Sequence, residues 1–455
     1  MDHSSSLTQQ KSRKTKTIVF ITCSLLILLI FQAACGPTAE ELSAFQTVTA
    51  LAAVTPTPTA SPTPAGIMPD QDLAAIIGAA ADGETIHLAA GTFNLAQGVT
   101  IDKSLTLIGA GSSQTIITAA LPSPDIKAVV NFSGSGTLSL EAITLEYIGD
   151  SPAAVIYADS GALGLDDCIL TGATVSDSGS QLGAIQLNDT AIALIRNSQI
   201  NGSVDRLDPK DPDKIPGGIF ASGNTQLTLE NVMITDSYLG VYAYGDAVVS
   251  ITNSTFSNTY AALGLLDNAT CTLTGNTIDQ SKTVQIALFD NARLTASENT
   301  LNNLDGSIGF QINETAYAHL EKNKINNGVS GILFSDNSTG EAVANEVSMV
   351  TNVGIYIQKD ASVVVDSNIL DSCYISIDFD GNSTGSIVNN NIMNGEIGIS
   401  IASPANPSVV GNNVQGWTQA LTTDPEEWLN SLDARDNYLT DGPPEIIVIT
   451  NTPTN

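Results

Sequence analysis

The densest group of reactive side chains in this 455-residue chain lies between Ser203 and Gly217, where Asp205, Arg206, Asp208, Lys210, Asp211, Asp213 and Lys214 crowd together. Four carboxylates in one loop are hard oxygen donors, so Asp205, Asp208, Asp211 and Asp213 are candidate ligands for calcium, although their spacing matches no established calcium loop. A plainer reading is a solvated loop stiffened by Pro209, Pro212 and Pro216, whose exposed ion pairs add little. Glycoside hydrolysis needs two carboxylates, and Asp166–Asp167 is an adjacent pair placed at a strand end. Asp378 and Asp380 flank Phe379 and face one side of a strand, but the following Gly381-Asn382 reads as a turn. Phe220, Tyr242, Tyr244, Phe289 and Tyr356 fall at outward positions of successive strands, where aromatic rings stack on sugars. Strand propensity alone also selects such residues. His87 and His319 have no nucleophile in their neighbourhood.

The elements that would position these groups are repeats. Asn276-Thr277-Ile278, Asn299-Thr300-Leu301, Asn323-Lys324-Ile325 and Asn345-Glu346-Val347 recur every 22 to 24 residues. One strand-like phrase per period means stacked coils. Anchoring aliphatics continue the pattern from Leu145 through Ile169, Ile200, Ile234, Phe256 and onward to Val414. A second strand in each turn carries inward Ile219, Val241, Leu263, Ile286, Phe310, Ile332, Ile355, Ile375 and Ile399. A polar corner follows at Asp246, Asn268, Asn291, Glu314, Asn337, Asp360 and Asn382, residues that suit tight bends. The expectation is an all-β, single-stranded parallel β-helix of about 12 turns. Two consecutive turns are long, and their insertions, Ala173–Leu182 and Ser203–Gly217, should emerge at one corner. Asp70–Ala81 reads as a short capping helix with Asp70 or Asp72 at its N-terminus. Asp424–Leu429 reads as another, and Glu445–Thr450 as a last strand. Glu298 and Lys322 should pair across adjacent turns.

The leader has basic residues, then an apolar run Ile18–Phe31, then Gln32-Ala33-Ala34-Cys35. That is an export signal, too short to read first as a spanning helix. Residues 35–66 carry Thr-Pro repeats that run extended as a spacer. The expected layout is signal 1–34, spacer 35–66, β-helix 67–421, and cap with tail 422–455. A net charge of −31 repels phosphate backbones, which sets nucleic-acid binding aside. Cys168, Cys271 and Cys373 are odd in number and far apart, so they read as small fillers between turns.

Asp82-Gly83-Glu84-Thr85-Ile86, Ala90-Gly91-Thr92-Phe93 and Ile101-Asp102-Lys103-Ser104-Leu105-Thr106-Leu107-Ile108-Gly109 together resemble the start of right-handed parallel β-helix proteins of the pectate-lyase-like superfamily. The resemblance covers about residues 70–421 and implies the right-handed coil. Calcium-dependent lyases of that group would give Arg206, Lys210 or Lys214 the role of base. Polygalacturonase-like members carry an Asp-Asp pair, but their Asn-Thr-Asp, Gly-His-Gly and Arg-Ile-Lys segments are absent here. The small residues before Cys35 resemble a bacterial lipoprotein signal, with Gln32 where that pattern carries an aliphatic, and imply lipidation of Cys35. The reading that follows is a monomeric extracytoplasmic protein, tethered to the membrane of a bacterial envelope, that binds a polysaccharide or surface glycan. A polysaccharide lyase or glycoside hydrolase is the alternative, since fold does not fix function. A structural adhesion protein with no small ligand is the second.

Overall fold

The computed structural model describes residues 66–121, 127–174, 182–202, 217–303, 306–425, 433–441 and 447–449, all within one compact unit, Thr63–Asn455. Cys35, the leader, the Thr-Pro spacer, most of both insertions and most of Asp424–Leu429 lie outside the described residues.

A turn of the coil has three strands, for example Thr270–Thr274, Thr277–Asp279 and Val284–Leu288. Each pairs in parallel with its equivalent one turn later: Leu273 with Ala296, Ile278 with Leu301, and Ile286 with Phe310. Strands of the first kind build a 15-stranded ladder, and the solenoid has about 14 turns. The dozen counted from sequence began at Leu145. Glu84–His87, Gly91–Leu95 and Val99–Ile101 already form a turn before it, and Ala434–Arg435 joins the ladder at the other end. Ile447–Ile449 pairs antiparallel with Asn437–Asp441, which supplies the last strand anticipated over Glu445–Thr450.

Inward side chains stack into files. Ile219, Val241, Leu263, Ile286, Phe310, Ile332 and Ile355 are all buried and in register. Ile377, not Ile375, continues that file, because Ile355 is paired with Ile377. A second correction is at Leu170, which pairs with both Leu145 and Ile200; Ile169 points partly outward. Apolar side chains stacked at strand spacing bury nearly all their surface, at about 1.5–3 kcal/mol per side chain.

The recurring asparagines form a continuous ladder through the interior. Asn276, Asn299, Asn323, Asn345, Asn368, Asn390, Asn412 and Asn437 are all buried. Each Nδ2 donates to the Oδ1 of the next, as in Asn299 to Asn323 at 2.9 Å and Asn323 to Asn345 at 3.0 Å. Every Oδ1 after the first also accepts a backbone N–H from the preceding rung. The residue before each rung takes a left-handed conformation, for example Gly275, Glu298, Lys322 and Ala344. A bend there turns the backbone N–H groups inward, and the asparagine supplies the acceptors they require.

The polar corner is likewise left-handed, at Asp267, Asp290, Glu314, Asp336 and Lys359. Glu314 belongs to this acidic file; Thr315 occupies the place expected for it beside Asn291 and Asn337, because Thr315 N bonds to Asp290 O while Asn337 N bonds to Glu314 O. The helix is Leu73–Ala79, shorter than Asp70–Ala81, with Asp72 accepting from Ala75 N at 3.0 Å. Leu73 and Ile77 are buried, and Lys103 Nζ donates to the carbonyls of Gly78 and Ala80, a cation at the negative end of the helix.

Candidate functional site

Strands of the third kind in each turn bring the expected ligand-binding residues together. Along them, Ile219, Val241 and Ile355 point in, so Phe220, Tyr242 and Tyr356 point out. Register makes one outward file of Tyr157, Gln186, Phe220, Tyr242, Gly264 and Ala287. It continues through Gln311, Leu333, Tyr356, Asp378 and Ser400. A second file, at the residue just past the end of each of these strands, holds Asn188, Ser222, Tyr244, Leu266, Phe289 and Asn313, then Asp380. Period-two alternation places both files on one face of the coil.

Aromatic groups cluster at one end of this face. The Phe220 and Tyr242 rings meet edge to face at 5.4 Å, and Tyr242 lies 5.6 Å from Tyr244. Phe220 is 2% exposed, so it supports Tyr242 rather than standing free. Tyr242, Tyr244 and Phe289 are half-buried. Tyr238 and Tyr260, at the preceding bend, stack at 5.1 Å.

Polar groups that sequence reasoning passed over sit one and two turns upstream. Asn188 Oδ1 accepts from Gln186 Nε2 at 3.2 Å and from Ser222 Oγ at 2.9 Å. Asn188 Nδ2 donates to Asp159 Oδ1 at 3.4 Å. Lys127 Nζ donates to the Tyr157 hydroxyl at 2.8 Å and lies 4.0 Å from that ring's centre. The signal available in sequence was the alternation of polar residues with inward Ile185 and Leu187.

The other end of the face is acidic. Asp378 and Asp380 both point outward around buried Phe379. Burial pushes the Asp378 carboxyl up to about 6, with Asp380 adding to the rise and a hydrogen bond from Ser400 opposing it. The Tyr356 hydroxyl donates to Asp380 Oδ2 at 3.4 Å. Burial and the two carboxylates push that phenol up to about 12. Asp380 Oδ1 also accepts from Gly381 N, which is the turn expected there. The pair thus serves a turn and an outward surface together.

Asp166 and Asp167 occupy a different corner. Asp166 Oδ1 accepts from Asn197 Nδ2 and Asp167 Oδ1 from Ser112 Oγ, each at 2.8 Å, and Asp167 is left-handed. Asp205, Arg206, Asp208, Lys210, Asp211, Asp213 and Lys214 lie outside the described residues. The stretch that holds them leads in sequence into the strand Gly217–Ala221, which carries Phe220. His319 faces outward, with Nδ1 3.0 Å from Glu341. Lys322 pairs with Glu321 at 2.6 Å, where Glu298 had been expected. The three described cysteines are free and buried, and burial pushes the Cys168 thiol up to about 12 and the Cys373 thiol to about 11. Neither supplies a thiolate at neutral pH.

A family model described as a right-handed beta helix region matches two overlapping stretches, residues 217–357 and 309–423. The coil is right-handed. No curated protein sequence matches. Among solved structures, the chain is similar to the catalytic unit of a thermostable GH87 alpha-1,3-glucanase from Streptomyces thermodiastaticus strain HF3-3. The identity there is 13%, covering 86% of this chain and 67% of that one, with a TM-score of 0.43. It is also similar to the N-terminal fragment of bacteriophage Phi29 gene product 12, at 12% identity over 85% and 75% with a TM-score of 0.49. Bacteriophage CBA120 tailspike protein 3 gives 11% over 94% and 67%, with a TM-score of 0.49. With every score below 0.5, the activities of these proteins are not carried over to this chain.

Proposed function

We propose that this right-handed β-helix binds a polysaccharide or surface glycan along the face built by the two outward files. The observation that carries the reading is the register itself. Rings at Tyr242, Tyr244, Phe289 and Tyr356 and the amide of Asn188 lie on one face of the coil. Aromatic faces with a few fixed polar groups suit sugars, whose rings are apolar on one side and hydroxylated at the edge. The strong negative charge disfavours polyanionic glycans. We place the protein in a bacterial envelope, tethered through lipidated Cys35; retention of a Cys35→Ser chain in the membrane fraction would contradict the tether. Affinity electrophoresis in gels of soluble neutral polysaccharides tests binding. Tyr242→Ala and Tyr356→Ala should each reduce retardation about tenfold, while Thr272→Ala on the opposite 15-stranded ladder leaves it unchanged. No retardation of the natural chain by any polysaccharide sinks the reading.

A second, hydrolytic reading is favoured by the two carboxylates at the acidic end. Asp378, held protonated into the mildly acidic range, would give its proton to a glycosidic oxygen. Asp380, with its Cα about 6.6 Å away along the strand, would take one from the attacking water. Release of reducing ends should then peak below pH 6 and fall at least a hundredfold in Asp378→Asn. A natural chain that releases none between pH 4 and 7 excludes it.

A further inference from the structure

We propose that a water molecule is bound inside the coil, at the corner that leads into Val284–Leu288, held by the Gln285 amide and by Asn303 Oδ1. The site is interior and stands independently of any ligand on the outer face.

Gln285 is 0% exposed, and neither its Oε1 nor its Nε2 has a hydrogen-bond partner. It stands in a file where neighbouring turns carry Gly240, Ala262, Gly309 and Gly331. Those turns leave no room for a long side chain. A Cβ on Gly240 would lie 2.7 Å from the Phe256 ring, and one on Gly331 2.7 Å from Val347 Cγ1. Room at Gln285 comes from longer bends between the second and third strands. Three residues make that bend after Ser257 and after Asn326. Four follow Asp279 and five follow Asn302.

Asn303 opens the longest of these bends. It is 5% exposed, and its Oδ1 is also unpartnered. Its Nδ2 donates to Asn327 O at 3.1 Å. Turning that amide over would set oxygen against oxygen, so the orphaned atom is the acceptor. Both amides border one corner. Gly309 is stacked on Gln285 at one strand spacing, about 4.8 Å, and a Cβ on Gly309 would lie 3.4 Å from Asn303 Nδ2. The hydroxyls of Thr259 and Ser281, buried in the preceding bends, bond to each other at 3.0 Å.

The chemistry of the ligand follows from what is unanswered. Two amide oxygens need donors, and one amide NH2 needs an acceptor. A cation would meet the N–H groups, and an anion would meet the oxygens. A neutral molecule that both donates and accepts answers all three. Water does so at the smallest size, and buried waters make about three hydrogen bonds to groups of this kind. Each group left unanswered would cost about 1–3 kcal/mol. Elsewhere among the described residues the orphaned side-chain atoms come singly. Gln186 keeps a bond through its Nε2, and hydroxyls such as Ser338 and Ser383 can rotate towards a carbonyl.

The test is a crystal structure of the natural chain at atomic resolution, with magnetic relaxation dispersion of water oxygen to count long-held internal waters. Density for a water within hydrogen-bond distance of the Gln285 amide and Asn303 Oδ1 is expected. Gln285→Met keeps the length and removes both polar atoms, so it should lose that density and lower the dispersion amplitude. A map in which the two amides bond to each other or to the protein, with no water between them, would overturn the proposal. An unchanged amplitude in a folded Gln285→Met chain would overturn it as well. Should that variant fail to fold, the map of the natural chain decides alone.

Discussion

Replacing Asn323, a middle rung of the buried ladder, should destabilise the coil in a way that depends on pH and on the substituent. Asn323 Oδ1 accepts from Asn299 N at 3.1 Å and from Asn299 Nδ2 at 2.9 Å. Its Nδ2 donates to Ala296 O at 2.9 Å and Asn345 Oδ1 at 3.0 Å. In Asn323→Ala all four bonds vanish, but the partners fare differently. Asn299 Nδ2 keeps Leu273 O, and Asn345 Oδ1 keeps the Asn323 backbone N–H. The Asn299 backbone N–H is left with nothing. One orphaned N–H and three lost bonds amount to about 3 kcal/mol. Asn323→Asp keeps the acceptor but turns a second oxygen towards two other acceptors, Ala296 O and Asn345 Oδ1. Burial and that confrontation raise the carboxyl's pKa in the folded chain above its unfolded value of about 3.9. A raised acid destabilises the fold above its folded pKa, and the penalty fades as pH falls towards the unfolded value. At pH 7.5 the order of stability should be Asn, then Ala, then Asp; at pH 4 the Asp variant should overtake Ala. Stacked repeats need not unfold in one step, so hydrogen exchange of the Asn299 amide is the decisive measurement, with urea midpoints beside it. Unchanged protection at Asn299 and a loss below about 1 kcal/mol in Asn323→Ala would refute the account of the ladder.

Asp378→Asn should stabilise the chain at pH 7.5 by about 3 kcal/mol. The carboxyl is pushed from its ordinary 3.8 to about 6, so ionising it above pH 6 works against folding, and the gain should vanish below pH 4 in urea titrations at both pH values. Glu314 is also raised, by burial first and then by Asp290 and Asp336. Glu314→Gln keeps an acceptor for Asp290 N, now 2.6 Å away, and should raise the thermal midpoint at neutral pH, with the difference shrinking at pH 4 and in high salt.

Much of the fold was legible because stacking repeats the same demand every turn. The asparagine phrase marks a place where inward backbone N–H groups require a side-chain acceptor, and few side chains meet it. Where the demand is weaker, the reading slipped. Cys168-Ile169-Leu170 offers two adjacent aliphatics, and only the pairing of Leu170 with Leu145 and Ile200 shows which one faces in. Near Tyr374, Ser376 replaces the glycine found at Gly331 and Gly354, and without that marker the sequence reads Ile375, in place of Ile377, as the inward residue. Phe220 reads from sequence as one more outward ring, whereas it is buried, its ring packed against Tyr242 and against Gly183 and Gly217.

The sequence alone determined the period, two strands of each turn, the inward aliphatic files and the asparagine rungs, because each depends on one residue meeting its own copy a turn later; the third strand of the turn, such as Thr270–Thr274, came only from the structure. The tertiary structure decided the site. The bonds that join Asn188 to Asp159 and to Ser222 span 29 and 34 residues, and Asp378 reads as half of a turn until its burial is known. Function here arises from unlike residues placed side by side by the coil, and no local pattern encodes which unlike residues will meet.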